Sequence, residues 1–417
     1  MTTKIREGYK QTEVGVIPED WEVKTLGSVS IDMLQGVNTA IDIPKYVEDG
    51  IPMLKANNII DREVNFETAD HVAIKTYHKY SDRYKLQLND FLFSNIGARL
   101  GTGSLLNNET ECTFAWNVMR ITPNQKIIDP SFLGHLMNSK IVFFQITNNI
   151  TGSGMGFVPK NILKKMLLPL PSKSTQTAIS TALSDADALI TSLEKLIEKK
   201  RAIKQGAMQE LLKPKEGWEV KKLGEIADIL TGFPFSSSGY SKSGVRLLRG
   251  SNIKRGQTDW NEDISQYWPK ITTELFRYQL NCGDIVVAMD GSLVGKSFAQ
   301  LSQVDLPAIL LQRVARIRSI HIDINYLKEL ICSEIFTGYC DSVKTSSAIP
   351  HISPADIYNY NISYPLEKSE QTRIATILSD MDAEINALEQ KLGKYKLIKQ
   401  GMMQELLTGR IRLVENV

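Results

Sequence analysis

Cysteine, histidine and long apolar runs are all scarce in this 417-residue chain. Its four cysteines (Cys112, Cys282, Cys332 and Cys340) include no Cys-x-x-Cys pair, so we expect buried, reduced thiols and no thiolate metal site. Its five histidines form no His-Glu-x-x-His motif, and no metal site is predicted. No apolar run reaches the length of a membrane-spanning helix, and the first residues lack the apolar segment of a signal peptide, which together predict a cytoplasmic protein.

Complete catalytic motifs are also lacking. The segment Gly291–Ser297 resembles a P-loop, but three residues separate its glycines where the motif needs four. The glycine cluster Gly152–Gly156 is not accompanied by the Asn/Asp-Pro-Pro-Tyr/Phe signature of adenine methyltransferases. Pro18 with Glu22–Lys24 fits a nuclease pattern only superficially. No catalytic residue is therefore predicted, and the chain is not expected to be an enzyme by itself.

Charge of one sign is not in excess, because 49 basic and 47 acidic residues give a net charge of +2. Any surface that binds nucleic acid must therefore be a local basic patch. The 42% hydrophobic and 23% charged content is typical of a soluble globular protein. A chain of this length is expected to form two or more domains.

An internal duplication dominates the sequence. The stretch Ser172–Leu212 aligns without gaps to Glu367–Leu407, and 24 of the 41 aligned residues are identical. Upstream, WEVKTLG at Trp21 returns as WEVKKLG at Trp218, and weaker similarities follow in the same order. Such self-similarity indicates a tandem duplication of one unit, with a variable front and a preserved back.

The preserved backs are predicted to be long helices. In the first copy the apolar residues recur at spacings of three and four, apart from one six-residue step across Lys200, and in the second copy they do so apart from one eight-residue step after Ile398. This spacing is typical of the seam of a coiled coil. One apolar stripe does not stabilise a lone helix, so we expect the two helices to pair, although each could instead pack on its own domain. The predicted seam contains Ile179, Leu183, Ala186, Ile190, Leu193, Ile197, Ile203, Ala207 and Leu211, and in the second copy Ile374, Leu378, Met381, Ile385, Leu388, Leu392, Tyr395, Ile398 and Leu406.

The fronts are predicted to be mixed α/β, although their topology does not follow from the sequence. DFLFSNI and DIVVAMD are β-like, whereas DPSFLGHLMNSKIVFFQI and DINYLKELICSEIF are helical. The predicted boundaries are residues 1–171 for the first front, 172–213 for the first helix, 214–366 for the second front, and 367–417 for the second helix and tail.

Basic and amide side chains recur in both fronts and are the candidates for nucleic-acid contacts. Arginine and lysine suit phosphates and guanine, whereas asparagine and glutamine suit adenine. Lys164, Lys165 and Arg313 belong to the wider basic set. The candidates are Lys55, Asn57, Asn58, Arg99 and Lys160 in the first front, and Arg249, Ser251, Asn252, Lys254, Arg255, Lys296, Lys344 and His351 in the second.

The doubled pattern resembles the specificity subunit of type I restriction–modification systems. It comprises WEVKxLG, a divergent α/β stretch, and a QxxIxxxLSxxD helix that ends in IKQGxMQELL, and it covers nearly the whole chain. The resemblance implies an α+β fold in which two α/β target recognition domains are separated by an antiparallel coiled coil with an internal pseudo-twofold repeat. Each domain would then read one half of an asymmetric, bipartite site in double-stranded DNA, and the helices would set the spacer between the halves.

The resemblance also implies partners. Two methyltransferase subunits would dock equivalently, one on each repeat, and restriction subunits would join the full complex. S-adenosylmethionine, ATP and magnesium would belong to those subunits, so this chain is expected to bind no cofactor. The docking candidates are Lys204, Gln205, Met208, Gln209, Lys399, Gln400, Met403 and Gln404.

Other hypotheses stay open at this point. A coiled-coil scaffold that binds proteins would show weak DNA affinity without steep salt dependence. An NTPase that uses Lys296 would bind nucleotide, and Lys296→Ala would abolish that binding. A modification-only system or an orphan specificity subunit would keep the family but lack the nuclease. The target sequence and the spacer length do not follow from the sequence.

Overall fold

The computed structural model of the protein describes residues 5–60, 62–149, 156–291, 293–319 and 321–413. The chain forms two compact units. Unit 1 contains Met1–Glu194 and Gln390–Val417, and unit 2 contains Lys195–Glu389. Each long helix therefore contributes its first part to one unit and its remaining part to the other.

Unit 1 contains short strands and helices, and two of its helices lie within the stretch DPSFLGHLMNSKIVFFQI, where the sequence predicts helix. Its strands are β1 (Tyr9–Thr12), β2 (Gly15–Pro18), β3 (Glu22–Thr25), β4 (Ser30–Gln35), β5 (Tyr46–Val47), β6 (Ile51–Leu54), β7 (Ile59–Ile60), β8 (Glu63–Val64), β9 (Asp70–Val72), β10 (Phe91–Ser94), β11 (Gly103–Leu105), β12 (Thr113–Phe114), β13 (Val118–Pro123) and β14 (Leu167–Leu170). Its helices are α1 (Thr39–Asp42), α2 (Ile74–Lys79), α3 (Pro130–Met137), α4 (Lys140–Thr147), α5 (Lys160–Lys165) and the first part of α6 (Lys173–Leu211).

Unit 2 repeats much of this order. Its strands are β15 (Glu219–Lys222), β16 (Ala227–Thr231), β17 (Val245–Leu248), β18 (Tyr267–Trp268), β19 (Ile285–Ala288), β20 (Phe298–Gln300), β21 (Ala308–Leu310), β22 (Val314–Ser319) and β23 (Asn361–Tyr364). Its helices are α7 (Leu223–Ile226), α8 (Ile324–Ile331), α9 (Glu334–Val343), α10 (Pro354–Asn359) and the first part of α11 (Lys368–Leu406).

The central sheets of the two units have the same strand order. In unit 1 the order is β4-β13-β10-β11, and in unit 2 it is β16-β22-β19-β20, with antiparallel neighbours throughout. A second sheet contains a parallel pair in each unit, β6 with β12 and β17 with β21. Strands β10 and β19 are buried along their whole length, and every residue in them except Ser94 is apolar. The duplication therefore extends to the fold of the divergent fronts.

Helix starts in the fronts follow local capping chemistry. The Asp129 carboxylate accepts a hydrogen bond from the N–H of Phe132 at the start of α3, and Asp323 does the same for Tyr326 at the start of α8. The helical and β-like stretches predicted in the fronts are confirmed, although each helical stretch is broken into two short helices.

The two long helices are each 39 residues long and run antiparallel within each unit. In unit 1, Asp187 pairs with Lys399 and Glu194 with Lys396, so the partner number falls as the residue number rises. Most predicted seam residues are buried or partly buried, and Leu183 and Leu378 are both fully buried. The seam prediction is wrong at Ile203 and Ile398, which are 47% and 43% exposed.

Both helices contribute to the core of each unit. In unit 1, Ile179 and Leu183 of α6 join Met403 and Leu406 of α11 in one buried cluster with front residues such as Trp21. In unit 2, Ile374 and Leu378 of α11 join the residues of the second front, and Leu212 lies directly after α6. The helices are thus part of the same hydrophobic cores as the sheets that position the candidate sites.

Candidate nucleic-acid interface

Four loops of unit 2 meet at Asp290, just after strand β19. The Asp290 backbone forms an antiparallel bridge with His351, and its Oδ2 accepts a hydrogen bond from Nη1 of Arg313 at 2.9 Å. A Cβ placed on Gly250 would lie 3.7 Å from Asp290 Oδ1, so the turn after β17 also approaches this point. Thr345 Oγ1 lies 2.9 Å from His351 Nδ1. These five residues are called the Asp290 cluster below.

Arg313 is exposed within this cluster. Its side chain is 67% exposed, and its backbone has the left-handed value of φ, 66°, which residues other than glycine rarely adopt. Only Nη1 is engaged, and its other guanidinium N–H groups have no hydrogen-bond partner among the residues that the structure describes. The ion pair therefore orients the guanidinium while leaving most of its donors available.

Unit 1 has an equivalent backbone bridge with different side chains. Ile96 forms an antiparallel bridge with Phe157, which is equivalent to the bridge between Asp290 and His351. Asn117 occupies the position of Arg313, just before the equivalent strand, and its Oδ1 lies 3.4 Å from the N–H nitrogen of Ala56. The ion pair of unit 2 is thus replaced by a hydrophobic residue and an amide.

Amide groups concentrate at this end of unit 1. Gln35 and the buried Asn95 form a reciprocal pair, with nitrogen-to-oxygen distances of 3.0 and 2.9 Å. Gln35 also donates to the carbonyl oxygen of Trp116, whose side chain is 47% exposed. Gln35, Asn95, Trp116 and Asn117 are called the Asn117 cluster below. Sequence reasoning missed Gln35, Asn95, Trp116, Asn117 and Asp290, and only the tryptophan offered a signal, as an aromatic residue beside a turn.

Asn58 and Asn252 close equivalent turns and are 1% and 0% exposed. The Asn58 Oδ1 accepts from the Lys55 N–H at 2.8 Å, and the Asn252 Oδ1 accepts from the Arg249 N–H at 3.2 Å. This structural role accounts for the repeated asparagine, whereas Asn57 and Ser251 at the tips of the same turns are exposed. Because the turn that contains Gly250 approaches Asp290, which also bridges His351, the structure brings Arg249, Ser251 and His351 to one end of unit 2.

The other predicted basic residues make varied contacts. Lys55 pairs with Asp70, Arg99 donates to the Ile59 carbonyl at 3.2 Å, and Arg249 donates to that of Ile264 at 3.5 Å. Burial and the nearby Lys164 lower the pKa of Lys160. Arg255 is exposed. The remaining ion pairs join Lys254 to Asp259 at 3.7 Å, Lys296 to Asp341 at 3.6 Å, and Lys344 to Asp341 at 2.5 Å.

The glycine-rich segments give no nucleotide-binding geometry among the described residues. Gly291 and Gly295 have positive φ values of 93° and 72°, as turns require, and Lys296 faces an aspartate. Ser292 and Thr151–Met155, which cover most of the second glycine cluster, lie outside the described residues.

The docking candidates on the long helices include residues that make internal contacts. In unit 2, Lys204 Nζ lies 2.5 Å from Asp382 Oδ1, and the equivalent Lys399 pairs with Asp187 in unit 1. Burial lowers the pKa of Lys399, which is 7% exposed, against the opposing effect of the aspartate. Met403 is also buried, and Met208 is partly buried. These contacts give the repeated lysine a structural role, whether or not it also meets a partner.

Other repeated residues remain on the surface. Ile203, Gln205 and Gln209 are exposed on α6, as are their equivalents Ile398, Gln400 and Gln404 on α11. Gln205 also donates to Glu334 at 3.0 Å. Gly206 and Gly401 are exposed in mid-helix, and a Cβ added to either would have no atom within 4 Å. We define these eight residues, four from each copy, as the repeated helix surface.

The surroundings of the equivalent ion pairs Lys204–Asp382 and Lys399–Asp187 differ between the units. In unit 2, Lys328 Nζ lies 2.6 Å from Glu329 and 3.2 Å from Asp382. Burial opposes the charge of Lys328, but these carboxylates outweigh it and raise its pKa. Unit 1 has Gly134 and His135 at the same positions after the helix cap.

His135 borders an open groove of about 1040 Å³ in unit 1, which Asp187 and Lys399 also line. Burial, which is the largest effect, lowers the pKa of His135 to about 4, and its Nε2 forms a 3.1 Å hydrogen bond with Ser184 Oγ. The imidazole is therefore neutral near pH 7.

Metal-binding clusters and membrane-spanning helices are both absent from the part of the chain that the structure describes. Among the described residues, no cluster of three or more histidine, cysteine or acidic side chains could hold a metal ion. No helix in the described part of the chain is long and apolar enough to cross a membrane.

Known proteins are similar to all or to part of this chain. The specificity subunit of the type I restriction enzyme MjaVIII from Methanocaldococcus jannaschii is 28% identical over 98% of this chain and 96% of its own. The specificity subunit of EcoAI from Escherichia coli is 32% identical over 42% of this chain and 30% of its own. A solved S subunit of a type I restriction–modification system from M. genitalium shares the fold, with a TM-score of 0.61 at 14% identity over 97% of this chain and 98% of that one.

The family assignment rests on both copies. The sequence profile of the type I restriction–modification DNA specificity domain matches residues 18–205 and again residues 215–399. These matches cover most of the chain and coincide with the two repeats that the folds of units 1 and 2 display. The chain therefore belongs to the family of type I restriction–modification DNA specificity proteins.

Proposed function

We propose that this chain reads an asymmetric, bipartite DNA site, with each unit recognising one half. The observation that carries the proposal is the pair of equivalent loop clusters, which share the strand order and the backbone bridge but carry different side chains. A shared backbone places recognition groups in the same way, whereas different groups select different bases. Two unlike half-sequences follow from the Asn117 cluster and the Asp290 cluster.

The long helices have two proposed roles. They set the distance between the half-sites, and they dock two methyltransferase subunits, one on each copy of the repeated helix surface. The support for docking is that Ile203 and Ile398 are exposed apolar residues kept in both copies. Gly206 and Gly401 are kept although glycine costs a helix about 1 kcal/mol relative to alanine, and no atom of the described residues lies within 4 Å of an added Cβ at either position.

Catalysis is proposed to belong to the partners. The methyltransferase subunits would bind S-adenosylmethionine, and restriction subunits would supply ATP- and magnesium-dependent cleavage in the full complex. This chain would then be a non-catalytic, cytoplasmic subunit that binds no cofactor.

Strand-resolved mapping of N6-methyladenine tests the proposal. DNA would be taken from cells that produce the methyltransferase subunit with and without this chain. A bipartite, asymmetric motif that depends on this chain is the expected result. If no motif depends on it although the two proteins associate, the chain is a scaffold or an inactive orphan, and the proposal is wrong.

A further inference from the structure

We infer that Arg313, oriented by Asp290, reads a guanine in the half-site recognised by unit 2. The inference rests on the proposed function, because it names the base and the contact within that recognition. Arg313 is 67% exposed at the end of the central sheet, and among the described residues only its Nη1 is engaged, by Asp290 Oδ2 at 2.9 Å. Arginine donates two parallel hydrogen bonds to the O6 and N7 of guanine in the major groove.

Asp290 favours a base over a phosphate as the target. A phosphate contact depends on the positive charge of the guanidinium, and the adjacent carboxylate both reduces that charge and repels the phosphate. Guanine instead presents two neutral acceptors whose recognition depends on direction. A buttressed guanidinium loses less conformational freedom on binding than a free one, so the ion pair improves that directional contact.

The comparison between the units supports the same assignment. The positions of Arg313 and Asp290 hold Asn117 and Ile96 in unit 1, although the backbone bridges are equivalent. The arginine–aspartate pair is therefore particular to one recognition surface and is not required by the shared fold. Arg313 also adopts a left-handed backbone with φ of 66°, which asparagine or glycine would tolerate better. A role for the side chain itself accounts for arginine at this position.

The neighbouring residues are compatible with the approach of DNA. His351 and Ser251 are exposed, and the turn that includes Arg249 lies beside Asp290 through Gly250. These side chains offer hydrogen-bond donors on the loops that meet at Asp290, which suits the phosphates that flank a contacted base.

The first test maps N6-methyladenine in cells that carry the methyltransferase subunit with wild-type, Arg313→Lys or Arg313→Gln chains. Lysine retains the charge but loses the planar fork, so both variants are expected to relax the requirement for one guanine and leave the other half-site unchanged. Arg277→Gln, which removes another exposed arginine of unit 2, is the matched control and is expected to keep the wild-type motif.

The second test uses the assembled wild-type complex and duplexes in which each guanine of the motif is replaced in turn by 7-deazaguanine. Loss of N7 at the contacted guanine is expected to weaken binding about 10-fold, whereas complete loss of the contact in Arg313→Gln weakens it about 10- to 100-fold. The same 7-deazaguanine should not weaken DNA binding by the Arg313→Gln complex any further. This test needs no variant for its first half, so poor folding of a variant does not prevent a decision.

Several outcomes would overturn the inference. A wild-type motif without guanine in either half excludes it while leaving the proposed function intact. Methylation that falls evenly at all sites in Arg313→Lys and Arg313→Gln, with an unchanged motif, identifies a phosphate contact instead. The absence of any motif that depends on the wild-type chain overturns the proposed function, and the inference about Arg313 with it.

Discussion

Lys204 and Asp382 form an ion pair between the two long helices in unit 2, with Nζ 2.5 Å from Oδ1. Lys328 shares the same carboxylate at 3.2 Å. Removing the charge of Asp382 would deprive two partly buried ammonium groups, those of Lys204 and Lys328, of this carboxylate. The loss of stability is expected to exceed that from breaking an ion pair on the surface. We expect Asp382→Asn to lower the free energy of unfolding of unit 2 by about 1–3 kcal/mol.

Hydrogen exchange of the α11 amides during urea titration would measure this change. Asp380→Asn is the matched control, because Asp380 is exposed on the same helix and has no ion pair among the described residues. Its effect should remain within about 0.5 kcal/mol. Equal effects of the two variants would show that the ion pair does not stabilise the helix pair.

His135 should make the stability of unit 1 depend on pH. Burial lowers its pKa from 6.5 to about 4 in the folded chain, so the unfolded chain binds more protons between these values. The free energy of unfolding should therefore fall as the pH falls from about 6.5 to about 4. Allowing for solvent screening of a partly exposed ring, we expect a contribution of about 2 kcal/mol.

Urea titrations of wild type and His135→Gln at several pH values would isolate this contribution. The variant should show a shallower loss of stability within that window. His78→Gln removes an exposed histidine of the same unit and should retain the wild-type pH profile. A profile unchanged by His135→Gln would contradict the assignment.

Lengthening both helices should lengthen the spacer of the DNA site. We suggest inserting seven helical residues between Glu194 and Lys195 and seven more between Glu389 and Gln390, which are the points where the two units divide. Seven residues add about 10 Å of helix, which corresponds to about three base pairs. Methyladenine mapping should show the longer spacer with both half-sequences unchanged.

An insertion in only one helix is the control for this experiment. It would shift Lys204 or Lys399 out of register with its aspartate, so loss of assembly is expected instead of a new spacer. A changed half-sequence in the doubly extended chain would argue against the proposal that the helices only set the distance between the half-sites.

Gly206→Ala combined with Gly401→Ala should affect stability and docking in opposite directions. Alanine favours a helix over glycine by about 1 kcal/mol, and the structure leaves space for both methyl groups, so the free chain should become more stable. If a partner helix approaches closely at these glycines, its affinity should fall. Thermal unfolding of the free chain and titration with the methyltransferase subunit would measure the two effects.

Gly393→Ala is the matched control, because Gly393 is an exposed mid-helix glycine with no counterpart in the first copy, where Glu198 stands. It should stabilise the helix and leave docking unchanged. Unaltered docking by the doubly substituted chain would remove the glycines from the proposed surface.

The long helices could be predicted because their signal is local. Apolar spacing and the repeated sequence are visible in one stretch, and most of the predicted seam is confirmed. The error at Ile203 and Ile398 has a physical cause in the neighbouring residues. Lys204 and Lys399 turn inward because Asp382 and Asp187 lie opposite, and a partner on the other helix is not visible from spacing alone.

The sheets and recognition loops depend on contacts between distant parts of the chain. Strand β13 pairs with β4, which lies far earlier in the sequence, and no local pattern specifies that choice. Arg313 appeared only as one basic residue among many, because its aspartate is 23 residues away in sequence and reaches it through the sheet. Asn58 and Asn252 appeared as binding residues because their caps become visible only once the turns are formed.

The division of the helices between the units also affects how the protein forms during synthesis. Unit 2 is a continuous segment, Lys195–Glu389, whereas the core of unit 1 includes Met403, Leu406 and Leu407. A ribosome therefore synthesises all of unit 2 before it has made the last residues that unit 1 needs. The first-made front must wait with part of its apolar surface uncovered until the end of the chain has been made.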